Sequence, residues 1–235
     1  MAELLMRRGT ARACATIVLL AAWGGPALSA DCDSYAASGV DWQDCNKKGL
    51  ILRENDLSGA NLSEADFSAS DLREANLQGA NFEKAVLLRS SLAGAKADKA
   101  NFTRIEAYRT TFSGMSAQGA SFAGAELQRA DFSDAQLTGA DFEKAELGRT
   151  DFTRAVITGS KFTLANLSRA DFSTAVFEGP LDFTEAFMFL TRIEGLDLSA
   201  ATGLNQSMVD LACGDDKTKL PAGLNASANW PCKFD

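Results

Sequence analysis

Histidine is absent from the 235 residues. That absence removes His-based triads, His general acids and bases, and His-ligated metals. Proline is scarce at four residues, and tyrosine scarcer at two. Basic residues are outnumbered, with 23 Lys and Arg against 31 Asp and Glu, for a net charge of −8. A nucleic-acid groove needs clustered excess positive charge, so no nucleic-acid partner is expected. No apolar run approaches the ~20 residues that span a bilayer. The candidate run, Ala13 to Trp23, follows Arg7, Arg8 and Arg12 and precedes the small-residue stretch GGPALSA. A basic head, an apolar middle and a small-residue end form an export-signal pattern. Residues 1–30 are therefore read as a cleaved signal peptide. The mature chain is read as periplasmic or secreted, with no membrane span. Cleavage removes Cys14 and leaves Cys32, Cys45, Cys213 and Cys232. An even set in an exported chain suits disulfides.

What the chain does have is a period. From Leu52 to Phe177 every fifth residue is Leu, Phe or Ile, except at Ala97, Ala107 and Ala117. Two residues before each stands a small residue, most often Ala, sometimes Ser or Thr. Ile105 and Met115 take the small site beside Ala107 and Ala117, which reads as an exchange of volume within the unit. Neither a helix nor a simple strand repeats every five residues, so the pattern describes a solenoid. A twenty-residue repeat lies over the five. Gly59, Gly79, Gly119, Gly139, Gly159 and Gly179 mark one position, and Arg89, Arg109, Arg129, Arg149 and Arg169 another. One extra residue near Gly179-Pro180 shifts the register, which resumes at Phe183, Met188, Ile193 and Leu198.

Units such as ANLSE (60–64), ADFSA (65–69), ADFSD (130–134) and ADFEK (140–144) resemble the pentapeptide-repeat family. The likeness runs over about 40–199. It implies an all-β fold, a right-handed quadrilateral β-helix with four pentapeptides per coil and the Leu/Phe and small residues inward. Phe112, Phe132, Phe152 and Phe172 would then line one wall, with Phe82, Phe102, Phe122, Phe142 and Phe162 opposite. Eight coils at ~4.8 Å give a rod roughly 38 Å long.

A solenoid needs closed ends. Residues 31–49 supply an N-terminal cap, with Val40 and Trp42 already in register, and 200–235 a C-terminal helical cap with a disulfide-bonded tail. The expected short helix is capped by Asn205 or Ser207, buries Met208 and Leu211, and stops at Gly214. Disulfide Cα atoms lie within ~7 Å. The rod keeps its ends much farther apart, so Cys32 is expected with Cys45, and Cys213 with Cys232.

No catalytic residue, cofactor or metal ligand is assigned; the Asp131, Asp151 and Asp171 stack belongs to the repeat. Two surfaces are candidates for interaction. Arg109, Arg129 and Arg149 each follow a Glu by three residues (Glu106, Glu126, Glu146), and the two columns are expected to neutralise each other. Their other use is to anchor an anionic ligand. Phe187, Phe189 and Leu190 fall on outward positions near the end. They are expected to meet the C-terminal helix, or else a partner or a second copy in an end-to-end homodimer. The functional expectation is a non-enzymatic exported scaffold for protein–protein interaction, its partner unidentified. The resemblance also implies an alternative, an acidic mimic of DNA that binds gyrase or topoisomerase and gives quinolone protection. The acidic charge favours that alternative and the export signal opposes it.

Overall fold

Each pentapeptide repeats the same backbone steps, and the unit from Asn61 to Ala65 shows them. Asn61 bonds to the coil below, donating its N–H to the Val40 carbonyl at 2.9 Å and accepting from the Trp42 N–H at 2.8 Å. Leu62 points inward and donates upward to the Asn81 carbonyl at 2.7 Å. Ser63 and Glu64 then turn the chain, and the Ala65 N–H closes the turn on the Leu62 carbonyl at 3.3 Å. Glu64 is left-handed, with φ +59. That conformation costs an L-residue about 1–2 kcal/mol. It is offset here because it aims the Glu64 N–H along the rod, onto the Glu83 carbonyl at 2.8 Å.

The computed structural model describes residues 30–233. The signal-peptide reading, Ala30 apart, falls on residues outside that range. Within it, parallel bridges join residues twenty apart, from Asp41–Asn61 to Val156–Val176. Four units thus complete one coil, and each wall of the square is one unit wide. The step becomes 21 at Lys161–Asp182, Asn166–Phe187 and Asp171–Arg192, where the extra residue is absorbed. Phe183 is buried and stacks on Phe162 at 5.5 Å, so the register does resume. Phe177, expected inward, is only partly buried, because the chain leaves its path just after it at 178–180.

The core is two columns of phenylalanine that meet edge to face. Phe112 stacks on Phe132 at 4.6 Å, and Phe122 on Phe142 at 5.0 Å. Across the core Phe132 meets Phe142 at 5.7 Å with planes at 86°. Stacking along a wall and T-contacts across it are both favoured arrangements of the ring quadrupole, so large rings can fill a narrow interior. Ala97, Ala107, Ile105 and Met115 are all fully buried, as volume exchange requires.

The two ends are closed differently. At the N-terminus Trp42 is buried, and the Lys47 ammonium lies 3.7 Å from its ring centroid while donating to the Cys32 carbonyl at 2.6 Å. Burial pulls the Lys47 pKa down, and Asp33 and Asp31 oppose that shift. Cys32 and Cys45 are disulfide-bonded, with Cα atoms 5.4 Å apart. At the other end α1, Gln206–Leu211, is capped by Asn205, whose side chain accepts from the Met208 N–H. Its buried residues are Met208 and Val209. Leu211, expected inward, is exposed, because Val209 rather than Leu211 completes the face against the rod. Gly214 does not end the helix; Ala212 caps it. The glycine instead makes room for Trp230, since a Cβ there would stand 2.6 Å from the indole. Cys213 and Cys232 are disulfide-bonded, again with Cα atoms 5.4 Å apart.

Candidate interaction surface

The corner that carries Arg89, Arg109, Arg129, Arg149 and Arg169 is built from the turn just described. Each Arg is the left-handed turn residue, with φ between +56 and +60. Each N–H bonds to the coil above, as from Arg109 to the Gln128 carbonyl at 3.1 Å and from Arg149 to the Ser168 carbonyl at 2.8 Å. The five side chains therefore leave one edge of the rod, one per coil, about 4.8 Å apart.

A ladder of buried hydroxyls stiffens that corner from inside. Thr150 Oγ1 donates to the Leu127 carbonyl at 2.9 Å, and Ser70 Oγ to the Lys47 carbonyl at 2.7 Å. Thr110 and Thr191 bond in the same way, to the Leu87 and Leu167 carbonyls. Each hydroxyl stands directly after the ladder position and ties its coil to the one below. Sequence reasoning counted these residues only as small. Their signal was present, because Ser70, Ser90, Thr110 and Thr150 share one position of the twenty-residue repeat.

The expected neutralisation does not occur. Among the described residues, none of the five ladder arginines lies within ion-pairing distance of a carboxylate. Other cations are paired: Arg154 with Asp134 at 2.7 Å, Arg53 with Glu74 at 2.7 Å, and Lys84 with Glu64 at 3.5 Å. The reason is geometric. A turn residue reaches the same corner of the next coil, twenty residues away, and not the wall position three residues back. Where stacked corner residues differ in sign they pair. On this corner the stack runs Ala69, Arg89, Arg109, Arg129, Arg149, Arg169 and Leu190, so no carboxylate stands directly above or below any of the five arginines. Arg109 lies instead 5.2 Å from the ring centroid of its neighbour Tyr108.

The aromatic end is continuous with this ladder. Leu190 occupies the corner position after Arg169, and its N–H donates to the Leu211 carbonyl of α1 at 2.8 Å. The Arg169 guanidinium lies 6.0 Å from the ring centroid of Phe189, which stacks beside Phe187 at 6.4 Å. Phe187 remains 51% exposed and Phe189 40%. Contact with the chain's own helix thus covers Leu190 and leaves Phe187 open. Phe189, Leu190, Leu211, Ala212 and Cys232 line a groove of roughly 380 Å³.

The Asp column on the next wall is occupied with its own turns. Asp131 accepts from Ser133 N at 2.9 Å and from Ser133 Oγ at 2.6 Å, and Asp171 bonds both Ser173 and Arg192. Among the described residues no three His, Cys, Asp or Glu side chains converge in a way that could hold a metal ion. Nor is any helix among them long and apolar enough to cross a membrane.

Comparison with known proteins follows the same geometry. Two family models match, one described as a pentapeptide repeat region over residues 85–172 and one as pentapeptide repeats over 37–68. A search of curated proteins returned no match. Among solved structures the chain is similar to HetL, a pentapeptide repeat protein involved in heterocyst differentiation regulation from the cyanobacterium Nostoc sp. strain PCC 7120. Identity is 24%, over 76% of this chain and 91% of that one, with a TM-score of 0.40. It is also similar to a trypsin-treated form of QnrB1, a plasmid-mediated fluoroquinolone resistance protein. There identity is 22%, over 77% and 86% of the chains, with a TM-score of 0.46. With the repeat matched on both sides of the rod's midpoint, the chain belongs to the pentapeptide-repeat family, whose members fold as right-handed quadrilateral β-helices.

Proposed function

We propose that this protein is a non-enzymatic exported scaffold that binds a protein partner through the arginine corner. The observation that carries the reading is the unpaired ladder. Five stacked cations repel one another, and each occupies a conformation that favours glycine. Neither property serves the fold, since the opposite corner does the same turn with Gly59, Gly79 and Gly119. An unpaired Arg keeps its planar donor fork free for a partner's carboxylate. The two disulfides support an oxidising compartment. The alternative, an acidic mimic of DNA acting on gyrase, is opposed by the same ladder, because it interrupts any single-sign acidic stripe.

Affinity capture tests the reading. Arg129→Ser with Arg149→Ser should abolish capture, and wild-type capture should fall steeply between low and moderate salt, because exposed charges are screened beyond about 10 Å. Phe187→Ser with Phe189→Ser should leave capture intact. The opposite outcome, salt-insensitive capture lost only with the aromatics, would move the site to the rod's end.

A further inference from the structure

The proposal above leaves the partner open, and the surface itself points to one. On a single wall and its corner, three outward columns run side by side along the rod. The first is Glu106, Glu126 and Glu146; the last is Arg109, Arg129 and Arg149. Between them stand Tyr108, Gln128 and Gly148. All six charged residues are exposed. None of them is ion-paired among the described residues, although Glu146 Oε2 accepts one hydrogen bond from Asn166 at 2.8 Å.

A two-fold axis perpendicular to the rod and passing through Gln128 exchanges the outer columns. It sets Glu126 against Arg129 of a second copy, Glu106 against Arg149, and Glu146 against Arg109, each contact occurring twice. An isologous interface has this self-complementarity. The pitch also matches. Consecutive charges on each column are one coil apart, so only a partner with the same ~4.8 Å repeat presents one carboxylate to every Arg without slipping out of phase. A second copy of this chain is such a partner.

The middle column supplies an independent observation. The same axis places Tyr108 opposite Gly148. Gly148 is not left-handed, and a Cβ there would meet nothing closer than 3.8 Å. Neither its own backbone nor its own neighbours require a glycine, and the missing side chain leaves room for an opposing tyrosine. We infer that the protein forms an antiparallel side-by-side homodimer through this wall, centred on Gln128, with the tyrosine of each copy over the glycine of the other. The inference rests on the arginine corner being a binding surface.

Charge exchange on the disulfide-bonded chain tests it, with sedimentation velocity as the readout. Wild type should be dimeric at low salt and dissociate as salt rises. Arg109→Glu with Arg149→Glu, and separately Glu106→Arg with Glu146→Arg, should each weaken self-association by about a hundredfold, because like charges then face each other. The fold accommodates these changes, since Glu54, Glu64 and Glu74 already sit at left-handed corners. Mixing the two variants should restore a one-to-one dimer. Gln128→Cys should cross-link to itself on oxidation, while Gln118→Cys, on another corner, should not. A wild type that stays monomeric at low salt up to millimolar concentration overturns the inference, as does a dimer indifferent to both exchanges. In either case, capture of another protein that still depends on Arg129 and Arg149 would leave the corner as the binding surface. Loss of that dependence as well would remove both readings.

Discussion

The middle of the rod and its two ends are held together by different means. In the middle, every layer packs against near-copies of itself. Phe142 has Phe122 below at 5.0 Å, Phe162 above at 5.3 Å, and the edges of Phe132 and Phe152, each at 5.7 Å. At the ends no copy is available on one side, and single contacts take its place. Trp42 meets Phe67 in a tilted contact at 6.4 Å and is covered by Lys47. Met208 and Val209 of α1 close the other end, with Trp230 Nε1 donating to the Ala212 carbonyl at 2.7 Å. Repetition makes the middle redundant, whereas each end depends on a few irreplaceable contacts.

The sharpest way to break the middle is to charge it. Phe142→Asp should unfold the protein, since it buries a carboxylate among four rings and removes the aromatic volume, a loss of about 5 kcal/mol or more. Phe142→Leu should cost less than about 1.5 kcal/mol, because Leu already fills equivalent sites on the other walls. Urea titration followed by far-UV circular dichroism separates them, and equal tolerance of both changes would contradict the inward column. The ends should respond locally. Replacing Cys213 and Cys232 by Ser should cost about 3 kcal/mol on the chain-entropy account. Hydrogen exchange should then speed up at Ile193 and Leu198, whose N–H groups donate to the Cys213 and Lys219 carbonyls at 2.8 Å. Amides of the central coils should keep their protection. If they lost it too, the rod would be one cooperative unit and the contrast would fail.

Acid gives the smallest effect and acts on the same contrast. Asp71 is held at about 2, chiefly by its hydrogen bond from Arg73, and Asp197 at about 2, chiefly by that from Lys219. Both pKa values lie below the ordinary carboxylate value of ~3.9. Their contribution is therefore full above pH ~4 and is lost as pH falls through about 2. Asp197 is exposed and Asp71 only half-buried, so the loss should be modest and smaller in salt. Urea midpoints measured from neutral pH downward should stay level to pH ~4 and then decline. Asp71→Asn with Asp197→Asn should flatten that decline.

This contrast also accounts for what the sequence reveals. The inward columns of Phe82 to Phe162 and Phe112 to Phe172 are legible because each side chain's neighbours follow from the repeat. The ends are less so. Nothing in a local helix pattern distinguishes Val209 from Leu211 as the buried residue, or assigns Gly214 to Trp230, because both depend on how α1 docks. The Glu and Arg columns misled for a related reason. Three residues looks short along the chain, but the turn sends Arg129 along the corner, where its vertical neighbours are Arg109 and Arg149. The hydroxyl ladder went unread because Thr150 and Ser70 meet the requirement for smallness whether or not they donate.

The one-residue step after Val176 has a further consequence. The interior is indifferent to where one wall ends and the next begins, so its phase returns every five residues. The exterior regains its phase only after twenty. Inserting five residues in the middle would leave every ring enclosed yet rotate all downstream surface features by a quarter turn, moving the downstream arginines onto the corner of Gly94 and Gly114. A single added residue, taken up in a loop as at 178–180, causes no such rotation, and Leu190 still stands on the arginine corner. Changes in length that are invisible to folding would therefore be conspicuous to anything that reads the outside of the rod.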